Sequence, residues 1–106
     1  MRSGKLRFLV SLQSATAVED DYGEDVETFI EYAPVYADII PLSGKEYFAA
    51  QQVNSEISIK VIIRYRNDVK ASHRVVFNDQ ILEIVAPPIN PRFRNRELQL
   101  LCKVVS

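Results

Sequence analysis

The sequence predicts a mainly β fold: a small β-barrel of about six strands, with one short α-helix inserted before a long central strand. Three observations carry this. Period-two alternation recurs along the chain and is longest from Glu56 to Arg66. The apolar segments are short and are divided by turn residues such as Asn67-Asp68 and Asn78-Asp79. One stretch, Pro41 to Asn54, carries helix-start chemistry instead. Short strands joined by hairpins close most easily as a small barrel or as a sheet folded on itself.

At 106 residues the chain is expected to form one domain, 1–106. A chain of this length buries roughly two-thirds of its unfolded surface, enough for a core without staples. The net charge of −1 argues against a generally basic nucleic-acid binder. The single cysteine, Cys102, excludes an internal disulfide and a cysteine-based zinc site. No apolar run is long enough to span a membrane, and the charged start Met1–Lys5 is not followed by a signal-peptide core, so a reducing cytoplasm is expected.

Residues 5–14 alternate, with Leu6, Phe8, Val10 and Leu12 against Lys5, Arg7, Ser11 and Gln13, and read as a half-buried strand. Residues 15–28 crowd Glu19, Asp20, Asp21, Glu24, Asp25 and Glu27 around Tyr22-Gly23, which predicts a solvated loop or a floppy hairpin tip turned at Gly23. Residues 28–40 form a second strand region in which Pro34 removes a ladder donor and marks a bulge or an edge, and Pro41 ends it.

Ser43 as N-cap with Glu46 three residues on forms a capping box, and Leu42 with Tyr47 a hydrophobic staple. Asn54 is placed to end the helix as a left-handed C-cap. From Glu56 to Arg66, Ile57, Ile59, Val61, Ile63 and Tyr65 point one way. Glu56, Ser58, Lys60, Arg64 and Arg66 point the other, with Ile62 the one breach. Fully extended, that stretch spans roughly 36 Å. Val75–Phe77 and Gln80–Val85 flank Asn78-Asp79, two residues that tolerate positive φ and make a hairpin turn. Ala86–Pro91 is too rich in proline for a central ladder and forms a stiff connection. The last strand runs from Glu97 to about Val105, with Leu98, Leu100, Cys102 and Val104 on one face.

Nothing in the chain assembles a catalytic or metal site. His73 is the one histidine, in a predicted loop without a second ligand nearby, and reads as inert. Cys102 reads as a small buried thiol. Ser43-Gly44-Lys45 lacks the upstream glycines of a phosphate loop, and the carboxylates of 19–27 lack calcium-loop spacing. Two charge patterns stand out. Lys60, Arg64 and Arg66, with Arg92, Arg94 and Arg96, interleave with Tyr65 and Phe93, as on single-stranded nucleic-acid-binding barrels. Acid near the start and base near the end also suit a head-to-tail contact between copies.

An ordered set of segments resembles the tailed-phage head–tail joining family, the head-closure or stopper proteins of the siphophage neck. It comprises Gly4-Lys5-Leu6-Arg7, then Gln13, then Asp21-Tyr22-Gly23 followed by Phe29. Tyr36-Ala37 through Pro41-Leu42-Ser43-Gly44-Lys45-Glu46 runs on into Ala49-Ala50-Gln51. Ile63-Arg64-Tyr65-Arg66 comes next, and Arg96-Glu97-Leu98 with Leu100-Leu101-Cys102 closes the set. Members often carry tryptophan at the Phe29 position and a more polar first strand than Phe8-Leu9-Val10.

The resemblance implies a non-enzymatic virion protein of the neck that needs no cofactor. It is monomeric when isolated and forms a ring, dodecameric in the family, on the portal–adaptor complex. The ring closes the DNA channel after packaging and offers a docking surface to a tail-completion or tail-terminator protein. On this view genomic DNA passes through the channel, and assembly takes place in the host cytoplasm. Another neck component, an adaptor or tail-completion protein, is the alternative within this class. The family's channel-gating loop falls, by its length and polarity, on Glu19, Asp20, Asp21, Tyr22, Gly23, Glu24 and Asp25. Lys45, Gln51, Gln52, Arg64, Arg66, Arg92, Arg94 and Arg96 are the expected subunit or partner interface.

Overall fold

The computed structural model describes residues 7–105. Lys5 and Leu6 of the expected first strand, and the Gly4-Lys5-Leu6 part of the resemblance, lie outside them. The elements are β1 (Phe8–Glu19), β2 (Asp25–Pro41), α1 (Gly44–Val53), β3 (Ile59–Arg64), β4 (Arg74–Phe77), β5 (Gln80–Ile84) and β6 (Glu97–Val104). All six strands join one antiparallel sheet in the order β1-β2-β3-β6-β5-β4, and β4 pairs back onto β1, so the sheet closes on itself.

Alternation decides which side chains fill the closed sheet. Val10 and Leu12 of β1, Val61 and Ile63 of β3, Val75 of β4, Leu82 and Ile84 of β5, and Leu98, Leu100 and Cys102 of β6 make one core with Ala33 and Ala37 of β2. Burial pushes the Cys102 thiol up to about 12, so it stays protonated and unreactive. Between β4 and β5, Asn78 and Asp79 stand at φ 48 and 67 and make the left-handed pair that a two-residue hairpin needs.

β3 is shorter than its alternation predicts. It runs from Ile59 to Arg64, with single backbone bonds beyond, from Ser58 N–H to the Cys102 carbonyl and from Tyr65 N–H to the Arg96 carbonyl. The facing holds, but Ile57 belongs to a second, small cluster with Leu42 and Ala50, backed by Val85 and Leu101. This cluster is what seats α1, in which Ala50 alone is buried.

The helix ends differ from their predicted chemistry. Ser43 is the N-cap but its side chain makes no capping bond. Gly44 follows at φ +61, which turns the chain away from the regular helix start that a capping box needs. Glu46 pairs instead with Lys60 of β3. Asn54 ends the helix in extended rather than left-handed backbone, its N–H bonded to the Ala50 carbonyl. The stiff 86–91 connection touches the ladder once, through a reciprocal Ile89–Gln99 bridge.

The largest departure is in residues 15–28, where the hairpin alternative holds over the loop and pairing runs almost to the tip. β1 and β2 stay paired out to Glu19 opposite Asp25, and only residues 20–24 turn. Gly23 at φ +80 makes that turn, and the Asp20 carboxylate accepts from the N–H groups of Tyr22 and Glu24, each at 2.9 Å. β4 covers β1 only from Ser11 to Gln13, and β3 covers β2 only from Ala37 to Pro41. The rest is a two-stranded arm. Six residues a strand reach about 20 Å, which accounts for a long axis of 47 Å against 27 Å across.

Candidate functional site

A bulge decides how the arm presents its side chains. Leu12 pairs with Ala33 but Gln13 pairs with Glu31, so Tyr32 is an extra residue on β2, two positions before the proline that predicts a bulge. One inserted residue exchanges the two faces of a strand. Without it, Glu31, Glu27 and Asp25 would share the core face with Ala33. With it, Ile30, Thr28 and Val26 take that side, opposite Ser14, Thr16 and Val18 of β1. The arm thus has an uncharged face that continues the core face of Val10 and Leu12, and an outer face that carries Glu19, Asp25, Glu27 and Glu31. No Lys or Arg lies between Ser14 and Glu31.

The base of the arm is fastened at the bulge. The Tyr32 hydroxyl donates to His73 Nδ1 at 2.9 Å, and the Lys70 N–H points to the same nitrogen at 3.3 Å. Nδ1 is therefore the acceptor, and the imidazole is neutral with its proton on Nε2. Burial lowers the His73 pKa, with Lys70 acting in the same direction. Burial raises the Tyr32 pKa, and Asp68 adds to it. Arg66 stands 5.9 Å over the Tyr32 ring and holds Asp68 through two bonds of 2.9 and 2.8 Å. That hydrogen bond from Arg66 also lowers the Asp68 carboxyl. Beside it, Arg74 stacks on Phe29 at 3.9 Å and donates to Gln13. His73 lies in the loop just before β4, as expected, but it is buried and bonded. Its partner lies 41 positions away, a distance no local pattern reveals.

The expected interface residues fall into two groups. Lys45, Gln51 and Gln52 lie on α1, at the Pro41–Ile59 end of the sheet. Lys45 and Gln52 are exposed, but the Gln51 amide donates to the Ile57 carbonyl at 2.7 Å and is occupied in holding the chain after the helix. Arg64, Arg66, Arg92, Arg94 and Arg96 lie at the other end, where Arg64 pairs with Glu97 and the arm departs. Arg66 is taken up by Asp68. Arg64, Arg92, Arg94 and Arg96 are exposed and form no ion pair among the described residues.

The loop bearing three of these arginines is clamped in shape. The Asn90 side chain accepts from the Asn95 N–H at 3.1 Å and donates to the Asn95 side-chain oxygen at 2.7 Å. Between them Arg92, Phe93 and Asn95 stand at φ 55, 53 and 55, and the Phe93 ring is 90% exposed. Left-handed backbone at a bulky residue such as Phe is uncommon and costly. Phe93 is held outward here, between the exposed Arg92 and Arg94.

Among the described residues no three His, Cys, Asp or Glu side chains group to hold a metal ion. The chemistry on view is that of contact: an acidic arm, a basic aromatic loop and a closed sheet that positions both. This is the make-up of an assembly protein, and comparison with known proteins places it. The description "phage head completion protein" matches residues 1–105, and the chain belongs to that family of phage structural proteins.

Among its relatives is head completion protein gp7 of Enterobacteria phage HK97, 30% identical over 108 residues that cover 97% of this chain and 96% of the relative. Another is head completion protein gp16 of Bacillus phage SPP1, 25% identical over 75 residues, 69% of each chain. The solution structure of protein SF1141 from Shigella flexneri 2a superposes with a TM-score of 0.79 at 25% identity, covering 100% of this chain and 98% of that one. A chain of the virion of a native gene transfer agent particle shares the fold, with a TM-score of 0.61 at 13% identity over 92% and 93% of the two chains.

Proposed function

We propose that this chain is a neck protein of a phage or prophage particle, forming a ring on the portal–adaptor complex that closes the DNA channel after packaging and receives the tail. The observation that carries this reading is the match to a head completion family over nearly the whole chain. The arm supplies the gate. Its tip, Glu19 to Asp25, projects about 20 Å beyond the closed sheet and carries five carboxylates and no cation. Ring symmetry would gather these tips into a collar around the channel, where the tip carboxylates turned to the channel repel DNA phosphates and keep the genome from adhering to the gate. The barrier itself is steric, because repulsion alone does not stop a DNA end under packing pressure.

The exposed arginines and α1 then serve contacts with neighbouring copies and with the rings above and below. No cofactor enters this function, and the protein acts in the virion after assembly in the host cytoplasm. The test is to replace residues 18–26 by a two-residue Asn-Gly turn, which keeps Ala17 opposite Glu27. The shortened chain is expected to fold as the closed sheet, and the particles that it still enters to lose DNA. Particles that keep their genome as well as wild type would remove the arm from the gate.

A further inference from the structure

The uncharged face of the arm has no covering layer in its own chain. Val18, Val26 and Ile30 are 48%, 46% and 53% exposed there, and Tyr22 at the tip is 91% exposed. They continue a face that is fully buried a few residues earlier, at Leu12. A two-stranded ribbon with both edges open is marginal in water, and a covering layer is what makes such a ribbon stable. What covers it must be apolar along the face and basic toward the tip, because Asp20, Asp21 and Glu24 lie in the turn that ends this face and no cation does.

The same molecule carries a surface of that description. On the Ile89–Arg96 loop, Ile89 and Phe93 are 42% and 90% exposed, and Arg92, Arg94 and Arg96 of the same loop are exposed too. In one chain the two surfaces form no ion pair among the described residues. Strand β3 stands between the strands that bear them. We infer that the occupant is a second copy of this chain: the uncharged face of one copy's arm packs on the Ile89–Phe93 surface of the next, with Arg92, Arg94 and Arg96 facing the acids of the tip. The contact is heterologous. Each copy offers an arm to one neighbour and a loop to the other, and such contacts close into a ring or run on as a filament. This inference rests on the ring-forming reading above and adds to it the surfaces that meet.

Cysteine cross-linking in particles tests it, and Cys102, buried and protonated, does not interfere. Val18→Cys and Phe93→Cys both fall at exposed positions. Particles bearing the double variant are oxidised and run without reductant. The expected result is loss of the monomer band to a ladder of multimers, with neither single variant giving one. A second pair of variants reads the rim. Arg94→Glu alone is expected to lower the chain's occupancy in particles, and added Asp21→Lys to restore part of it. Raised salt is expected to weaken assembly in the same sense, since it shortens the screening length below about 10 Å.

Absence of the wild-type chain from particles would overturn the neck reading, and this inference with it. Its presence, with no ladder above the single variants, would overturn the inference alone. Should the double-cysteine variant fail to enter particles, the charge pair decides, and no restoration by Asp21→Lys overturns the contact.

Discussion

β1 and β2 pass through two settings in one chain. Below the bulge each strand has a neighbour on either side, and their inward residues meet those of four other strands. Above it the same two strands keep only each other, one face acidic and the other bare. The backbone pairing is alike in both, so hydrogen bonding is not what separates them. What differs is whether a second layer faces the strands, because burial is the dominant favourable term in folding. The closed sheet is complete in one chain, whereas the arm is a half-built sandwich that another molecule finishes.

Core truncation is expected to show the contrast most strongly. Leu100 is fully buried, and Leu100→Ala should cost about 2–5 kcal/mol in a urea melt through the cavity it leaves. Ile59, only half-buried, should cost less. Val18→Ala on the arm should stay within about 0.5 kcal/mol. A large loss at Val18 in the isolated chain would mean that the arm is already covered.

The clasp between the two regions comes next. Tyr32→Phe removes the bond to His73 and should cost about 1 kcal/mol. The pH dependence has a fixed sign. A base whose folded-state pKa is depressed binds fewer protons folded than unfolded, so stability from neutral His73 is present above about 6.5. It is lost as pH falls through the lowered His73 value. Protonated Nδ1 would also meet the Tyr32 hydroxyl and the Lys70 N–H as a third donor. His73→Gln should flatten that part of the stability–pH curve, and an unchanged curve would remove His73 from the clasp.

Ser43→Ala is expected to do least, within about 0.5 kcal/mol, since the Ser43 side chain caps nothing. A loss near 1 kcal/mol would restore the capping box that the sequence spacing suggests.

Much of the closed sheet is legible in the sequence because its signals are local. The Asn78-Asp79 turn, the helix placed between Pro41 and Asn54, and the inward Val61, Ile63, Leu98, Leu100 and Cys102 each follow from neighbours within a few residues. Strand length is less legible. Alternation runs on past Ile59 and Arg64, although β2 ends opposite the first and β6 opposite the second, and nothing within the strand itself marks where pairing stops.

The arm is read as a loop or a floppy hairpin tip, and the length of its pairing is missed, because charge density outweighs charge spacing. Glu19, Asp25, Glu27 and Glu31 are all odd-numbered while Thr16, Val18, Val26, Thr28 and Ile30 are even, a strand pattern with its acids on one side. The opposite parity of Ala33, Val35 and Ala37 is the signature of the bulge between them. The Tyr32–His73 bond and the Asn90–Asn95 clamp depend on the closed fold and on left-handed backbone, and composition carries no trace of either.

Amide hydrogen exchange tests the central claim most directly, read once on the isolated chain and once on assembled particles. Amides of β3, β5 and β6 are expected to exchange slowly in both. Those of residues 14–19 and 25–30 should exchange quickly in the isolated chain and become protected in the particle, where a neighbour covers the arm. Arm amides that are slow in the isolated chain, or that remain fast in the particle, would contradict the account.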